Sequence, residues 1–77
     1  MKFATAKFYR LRGYCGEFVE VLAVISDTGE TAEITVAWCK HFDKGWKSLH
    51  AGNIRISARD YLNWMPYRPP GIKLNAN

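Results

Sequence analysis

A run of alternating residues at positions 32–38 constrains the fold of this chain more than any other feature. The apolar residues Ala32, Ile34, Val36 and Trp38 alternate there with Glu33, Thr35 and Ala37. Successive side chains of a strand point to opposite faces of a sheet, so a period of two predicts a strand that is buried on one face. The chain should therefore contain at least one sheet.

The segment before this strand is apolar almost throughout. Residues 18–25 are rich in β-branched side chains and contain only one charge, at Glu20, which is typical of a strand packed on both faces. Residues 26–30 link the two strands and contain Gly29, and a short connection with a glycine predicts a hairpin. A long β-hairpin is therefore the centre of the predicted fold.

Shorter strands are predicted on both sides of the hairpin. Weaker alternation at residues 6–12 ends at Gly13 and predicts a first strand. Downstream, residues 46–50 and 54–56 predict two short strands separated by a turn at residues 51–53. Several short strands joined by tight turns are typical of a small all-β domain.

The end of the chain predicts a short helix and an extended tail. Ser57 is followed three residues later by Asp60, a variant of the capping box, and this predicts one or two helical turns that stop before Pro66. Residues 68–77 begin with two prolines and a glycine close together, which predicts an extended tail. We therefore divide the chain into a single β domain at residues 1–67 and a C-terminal tail at residues 68–77.

The length and composition favour one small folded domain. The chain has 77 residues, of which 48% are hydrophobic, more than a disordered segment contains. A domain of this size buries only about 60% of the surface of its unfolded chain. Closing a sheet removes its exposed edges. We expect a mainly β fold, a small antiparallel barrel of about five strands with a short helical turn near the C-terminus.

The order of the predicted elements is similar to that of SH3-like barrels. A long hairpin, a short strand, a helical turn and a last strand follow one another, and the similarity covers residues 6–57. It implies an SH3-like barrel with residues 49–55 near one end. The alternative is an α+β arrangement, an open antiparallel sheet with one packed helix.

Charged residues are sorted into blocks along the chain. Residues 1–16 contain four bases and no acid, and residues 17–33 contain five acids and no base. Residues 34–77 are basic again, and the net charge is +4. Sorting of this kind predicts a surface that faces a charged partner.

Basic and aromatic residues are interleaved in two segments, which predicts binding of nucleic acid. Cations can hold the phosphates while bases stack on aromatic rings, an arrangement suited to RNA or single-stranded DNA. We expect a non-enzymatic binding protein of this kind. The predicted nucleic-acid-binding residues are Lys7, Tyr9, Arg10, Arg12, Lys40, Lys44, Trp46, Lys47 and Arg55.

A protein partner is the competing prediction. Aromatic residues and arginine are the types most often found as interface hot spots, and they are dense between residues 61 and 68. The predicted interface residues are Tyr61, Trp64, Tyr67 and Arg68. The partner would be a host protein that is bound and blocked, as by the small proteins of phages and mobile elements, or a second copy of the chain in a homo-oligomer.

No pattern in the sequence predicts catalysis, a cofactor or a metal site. Cys39, His41 and Asp43 are spaced two residues apart, and in a strand such neighbours stand about 7 Å apart, too far for a catalytic triad. Together with Cys15 and His50 they match no zinc-ligand spacing. We predict that the chain is not an enzyme; an active pore assembled from several copies stays a third and weaker hypothesis.

The sequence also predicts where the protein is found. No stretch approaches the roughly 20 apolar residues that span a bilayer, and the first residues lack the apolar core of a signal peptide. The two cysteines are too few for a disulfide scaffold. We therefore expect a cytoplasmic protein that does not bind membranes.

Overall fold

The computed structural model describes residues 1–13 and 16–74 of the chain. Tyr14, Cys15 and the end of the predicted tail, residues 75–77, lie outside the described residues. The fold is mainly β, as the sequence predicts. Its elements are β1 (Phe8–Leu11), β2 (Glu17–Asp27), β3 (Thr31–Phe42), β4 (Gly45–Ser57), α1 (Ala58–Tyr61), β5 (Trp64–Tyr67) and β6 (Ile72–Lys73).

The strands form a single open sheet. Their order is β5-β1-β2-β3-β4-β6, and all neighbours are antiparallel except β4 and β6, which are parallel. Across residues 1–13 and 16–74, no ladder joins β5 to β6, so the predicted closed barrel is not formed. After β5 the chain crosses to the opposite edge of the sheet, where β6 pairs with the start of β4.

The long hairpin of β2 and β3 confirms the strongest sequence prediction. Its register runs from Glu17 opposite Lys40 to Asp27 opposite Ala32. The pairing is interrupted between Val21 and Ala23 and again between Val24 and Ser26. Bulges of this kind increase the local twist and bend a strand. The bent hairpin lets residues of β1 reach residues of β4 across one face of the sheet.

Strand β4 runs without a break through the residues that the sequence predicts to form a turn. Gly52 lies opposite Val36, and Thr35 Oγ1 donates a hydrogen bond of 2.6 Å to Asn53 Oδ1. Because β3 offers a continuous partner along this stretch, pairing overrides the turn preference of residues 51–53. The prediction of two short strands was therefore wrong, and β4 is one strand of 13 residues.

Helix α1 begins where the sequence predicts and is a single turn. Ser57 is its N-cap, and the Ser57 hydroxyl accepts a hydrogen bond of 3.1 Å from the Asp60 amide. The chain then enters β5, where Trp64 lies opposite Leu11 in β1. Pro66 is tolerated in β5 because β5 is an edge strand, and the backbone N–H groups on its outer side have no neighbouring strand to bond to.

Both faces of the sheet bury apolar side chains. Phe18 and Val19 are 1% and 0% exposed, and adjacent residues of a strand point to opposite faces. On one face, Phe3 and Tyr61 cover a cluster of aliphatic residues from β2, β3 and β4. We call the other the aromatic face; its cluster contains Phe8, Phe18, Ala37, Cys39, Trp46 and Tyr67.

The segment predicted as a tail turns back onto the sheet as far as Leu74. The Leu74 amide donates a hydrogen bond of 2.6 Å to the Trp46 carbonyl, and β6 pairs with the first residues of β4. Lys73 Nζ lies 3.6 Å from Glu20 Oε1 on the aromatic face. Residues 68–74 are therefore joined to the β domain by backbone and ionic contacts.

Asp27 ties the N-terminal segment to the turn of the hairpin. Its carboxylate accepts hydrogen bonds from the Gly29 amide at 3.0 Å and the Phe3 amide at 3.4 Å. Desolvation raises the pKa of Asp27, but these two bonds and the terminal ammonium outweigh it, so the net pKa is lowered. A carboxyl whose pKa is lowered by folding stabilises the fold at neutral pH and loses that effect as the pH falls through the folded value.

We therefore expect Asp27→Asn to reduce the pH dependence of stability. The wild-type free energy of unfolding should fall as the pH is lowered from about 5, because Asp27 takes up a proton on unfolding. The variant should be less stable than the wild type at pH 7 and should lose less on acidification. Urea unfolding of both proteins at pH 7 and at a pH below about 5 tests this. Parallel pH profiles of the free energy of unfolding in the two proteins would contradict it.

Candidate functional site

A cavity bordered by three cations lies where β1 meets β5. Its volume is about 450 Å³. Among the described residues, no acid lines it. We call it the basic cavity; its lining residues are Lys2, Ala6, Lys7, Phe8, Tyr9, Pro66, Tyr67 and Arg68.

Lys7 and Arg68 are placed by the pairing of β1 with β5. Phe8 lies opposite Tyr67 at the end of this ladder, and Lys7 and Arg68, the residues that flank this pair, both line the cavity. The Lys7 carbonyl accepts a hydrogen bond of 2.9 Å from the Val21 amide, which fixes its backbone to β2. Like charges that line one cavity repel each other. An anion bound between them would relieve that repulsion.

Tyr67 is held in a fixed position beside the basic cavity. Its hydroxyl lies 2.8 Å from His41 Nε2, and its ring centre lies 5.2 Å from that of Phe18. The Arg10 guanidinium carbon lies 5.5 Å from the centre of the Tyr67 ring, within the range of a cation–π contact. Arg10 therefore adds a fourth cation next to the cavity.

Two of the aromatic residues predicted to stack on bases are buried instead. Tyr9 is 5% exposed and packs on Phe3 and Trp64, with ring centres 5.7 and 5.6 Å away. Trp46 is 6% exposed and packs on Phe8 at 5.3 Å. Both rings fill the core of this small domain, so neither presents an open face to a base.

The remaining predicted cations do not share one surface. Arg55 Nη2 lies 4.0 Å from Glu33 Oε1. Lys40 and Lys47 lie opposite one another in β3 and β4, and Lys47 Nζ is 4.7 Å from the centre of the Phe42 ring. Lys44 lines a separate cavity of about 430 Å³. The other lining residues include His41 and Asp43, near the β3–β4 turn, and Pro70. Of the predicted nucleic-acid residues, Lys7 and Tyr9 line the basic cavity, and Arg10 contacts Tyr67 beside it.

A second groove, at the other end of β1, is lined by two tryptophans. We call it the tryptophan groove; it has a volume of about 420 Å³ and is lined by Leu11, Arg12, Trp38, Ile54, Arg55, Ile56, Asp60, Asn63 and Trp64. Trp38 and Trp64 are both half-buried. Three of its lining residues are charged, Arg12, Arg55 and Asp60, and most of the others are apolar.

The residues predicted for a protein interface divide between core and surface. Tyr61 and Trp64 pack edge-on against Phe3, with ring centres 5.1 and 5.5 Å away, so much of each ring serves the core. Tyr67 and Arg68 line the basic cavity instead. The predicted interface is therefore not one continuous patch.

The residues considered for catalysis are not arranged as a reactive pair. Cys39 is buried, and its thiol lies 3.8 Å from the Ser48 hydroxyl. Desolvation raises the pKa of the Cys39 thiol, which disfavours the reactive thiolate. His41 bonds to Tyr67 rather than to the thiol. Among the described residues, no group of three or more His, Cys, Asp or Glu side chains could hold a metal ion.

Two features of the site were missed by the sequence analysis. Lys2 is not among the predicted nucleic-acid-binding residues, yet it lines the basic cavity. Lys73 was counted only as part of a tail, yet it reaches Glu20 and lies 5.6 Å from the centre of the Trp46 ring. The excess of bases before residue 16 was the available signal for Lys2.

The comparisons give no independent indication of function. The chain matches no protein-family model, and neither a characterised protein nor a solved structure shows significant similarity to it. Over the described residues, no helix is long and apolar enough to cross a membrane.

Proposed function

We propose that the protein binds single-stranded nucleic acid and holds its phosphates at the basic cavity. The observation that carries this proposal is that Lys2, Lys7 and Arg68 border a cavity with no acid among its described lining residues. Phosphate is present at every nucleotide, so contacts of this kind bind nucleic acid with little dependence on sequence. A bound phosphate would relieve the repulsion between these cations.

The shape of the cavity also suits a nucleotide. A volume of about 450 Å³ lies within the usual range for small-molecule sites. Phe8 and Tyr67 are half-buried in its wall, so the exposed part of each ring is available to a base while the rest of it stays packed. Partial stacking on such rings favours flexible single strands, whose bases are free to turn outward.

The acids of residues 17–33 are only partly kept away from this cavity, because Asp27 contacts the Met1 ammonium and the Phe3 amide on either side of Lys2. β1 pairs with Val19 and Glu20 of β2, whereas Glu30 lies in the connection between β2 and β3, at the far end of the hairpin. Glu20, the acid nearest to Phe8 in the register, forms an ion pair with Lys73. The ion pair with Lys73 weakens the repulsion of a phosphate backbone by Glu20.

The order of the elements supports an SH3-like arrangement of the first five strands. A long hairpin of β2 and β3 is followed by β4, the helical turn α1 and β5, which pairs with β1. We infer that β1 to β5 correspond to an SH3-like fold whose sheet has not closed, with β6 as an addition.

Removing two of the three cations should weaken binding strongly. Lys7→Ala/Arg68→Ala is expected to lower the affinity for a labelled single strand of RNA or DNA about tenfold at low salt, since each exposed cation contributes about 0.5–1 kcal/mol. The salt dependence should also become less steep, because fewer counterions are released. Fluorescence anisotropy at several salt concentrations measures both effects, with duplex DNA as the comparison ligand.

A matched variant separates a site from a general effect of charge. Lys44→Ala/Arg59→Ala removes one lysine and one arginine outside the basic cavity and should change the affinity by less than about twofold. Equal losses in the two variants would mean that only net charge matters. Wild-type protein that binds none of the three nucleic acids at low salt would exclude the proposal.

A protein partner is the second candidate function, and the tryptophan groove favours it. Half-exposed tryptophans in a groove are typical hot spots of protein interfaces. Binding there should depend on Trp38 and change little with salt. A protein from a host lysate that is retained by the wild type, but not by Trp38→Ala, would support this function if retention survives high salt.

A further inference from the structure

The outer edge of β4 carries a long row of unpaired backbone groups. β6 pairs only with Gly45 and Trp46 at the start of this strand of 13 residues. In the part of the chain that the structure describes, no other strand pairs with that edge. Residues 49–53 are all exposed, and Leu49 is 51% exposed.

The hydrogen bonds at the end of β4 show which residues face outward. The Ala58 amide donates to the Glu30 carbonyl at 2.9 Å, so it points toward the β3 side. Residues of an antiparallel pair alternate between bonding to the partner and pointing away from it. Ile56, Ile54 and Gly52 therefore bond to β3, whereas the N–H and C=O groups of Arg55, Asn53 and Ala51 point away from the sheet.

This edge lacks the usual protection against pairing. Proteins commonly blunt free edges with proline, charged side chains or bulges. The irregularity in β4 lies between Ser48 and His50, and the strand beyond it contains no proline and one charge, at Arg55. Side chains of a strand project from the faces of the sheet, so those of residues 50–57 leave the backbone groups of this edge accessible.

We propose that β4 pairs with β4 of a second copy of this chain, antiparallel and centred on Gly52, to form one continuous sheet. In this register Ala51 lies opposite Asn53 of the second copy, and both residues have their polar groups turned outward. Arg55 lies opposite Leu49, so no two cations face each other. A register centred on Ala51 would place Arg55 opposite Lys47, and a register centred on Arg55 would place Arg55 opposite Arg55 of the second copy. Repulsion between like charges disfavours both registers.

The mass of the protein in solution tests this pairing. Wild type should sediment at twice the chain mass at high micromolar concentration. Ala51→Pro removes an outward N–H without breaking a bond to β3, so it should remain folded and shift the dimer dissociation constant upward at least about tenfold. Ala51→Val, which keeps the N–H, should dimerise as the wild type does. Sedimentation equilibrium gives the mass, and circular dichroism confirms folding.

A second variant decides the question if the proline variant fails to fold. Ala51→Lys/Asn53→Lys places lysine opposite lysine across the two-fold axis and should be monomeric at low salt, with partial recovery at high salt. Wild type that stays monomeric at all concentrations overturns the proposal. A folded Ala51→Pro protein that dimerises as well as Ala51→Val would also overturn it, and so would a double-lysine variant that dimerises normally. Either result would show that the dimer forms through a surface other than the β4 edge.

Discussion

Replacing Phe18 by alanine should lower the free energy of unfolding by about 3–5 kcal/mol. The Phe18 ring is 1% exposed and lies at the centre of the aromatic face. Four rings surround it, with centroid distances of 4.8 to 6.1 Å, and they belong to Phe8, His41, Trp46 and Tyr67. Each of these rings is attached to a different strand, so the space left by the truncation closes poorly. Urea unfolding followed by tryptophan fluorescence measures the loss.

Phe42 provides the matched control for this prediction. Its ring is 41% exposed, and its cation–π contact with Lys47 is at the surface. Phe42→Ala should therefore cost no more than about 1 kcal/mol. Comparable losses for the two variants would contradict the placement of Phe18 in the core. Since small domains are stable by only about 5–15 kcal/mol, the Phe18 variant should be near the limit of folding.

Gly45→Ala is the second substitution expected to have a large effect. Gly45 begins β4 with φ of 155°, in a region that is nearly restricted to glycine. A Cβ at this position would overlap the Ile72 carbonyl, and β6 could no longer lie against the start of β4. Backbone strain and the clash together should cost about 3 kcal/mol. Denaturant unfolding measures this cost, and faster hydrogen exchange at the Leu74 amide would report the release of β6.

Gly52→Ala is the control within the same strand. A Cβ at Gly52 would meet no atom within 4 Å, and its backbone has the ordinary geometry of a strand. The substitution should be neutral or slightly stabilising, because alanine loses less backbone freedom on folding. A Gly45→Ala protein as stable as Gly52→Ala would show that β6 does not depend on the close approach at Gly45.

The long hairpin and the helix start could be predicted because their signals are local. Alternation at residues 32–38 and the continuous apolar run before it require only the period of a strand. The hydroxyl of Ser57 needs only an amide three residues later in the chain, and the Asp60 amide provides it. Neither prediction depends on how distant segments pack.

The errors came from contacts between distant segments. Gly52 and Asn53 have the composition of a turn, but β3 holds them in a strand. Whether the sheet closes depends on where residues 68–74 return, and no local pattern specifies a parallel pairing of β6 with β4. The same holds for the candidate site, because Arg68 lines one cavity with Lys2 and Lys7 although it is far from both of them in sequence.

The most direct test of the proposed function is a nuclear magnetic resonance titration of the labelled protein with a short single-stranded oligonucleotide at low salt. Binding at the basic cavity predicts that the largest amide shifts occur at Lys7, Phe8, Tyr67 and Arg68, and that they diminish as salt is added. Shifts centred on the tryptophan groove or on the β3–β4 turn, or no shifts at all, would contradict the assignment of phosphate binding to this cavity.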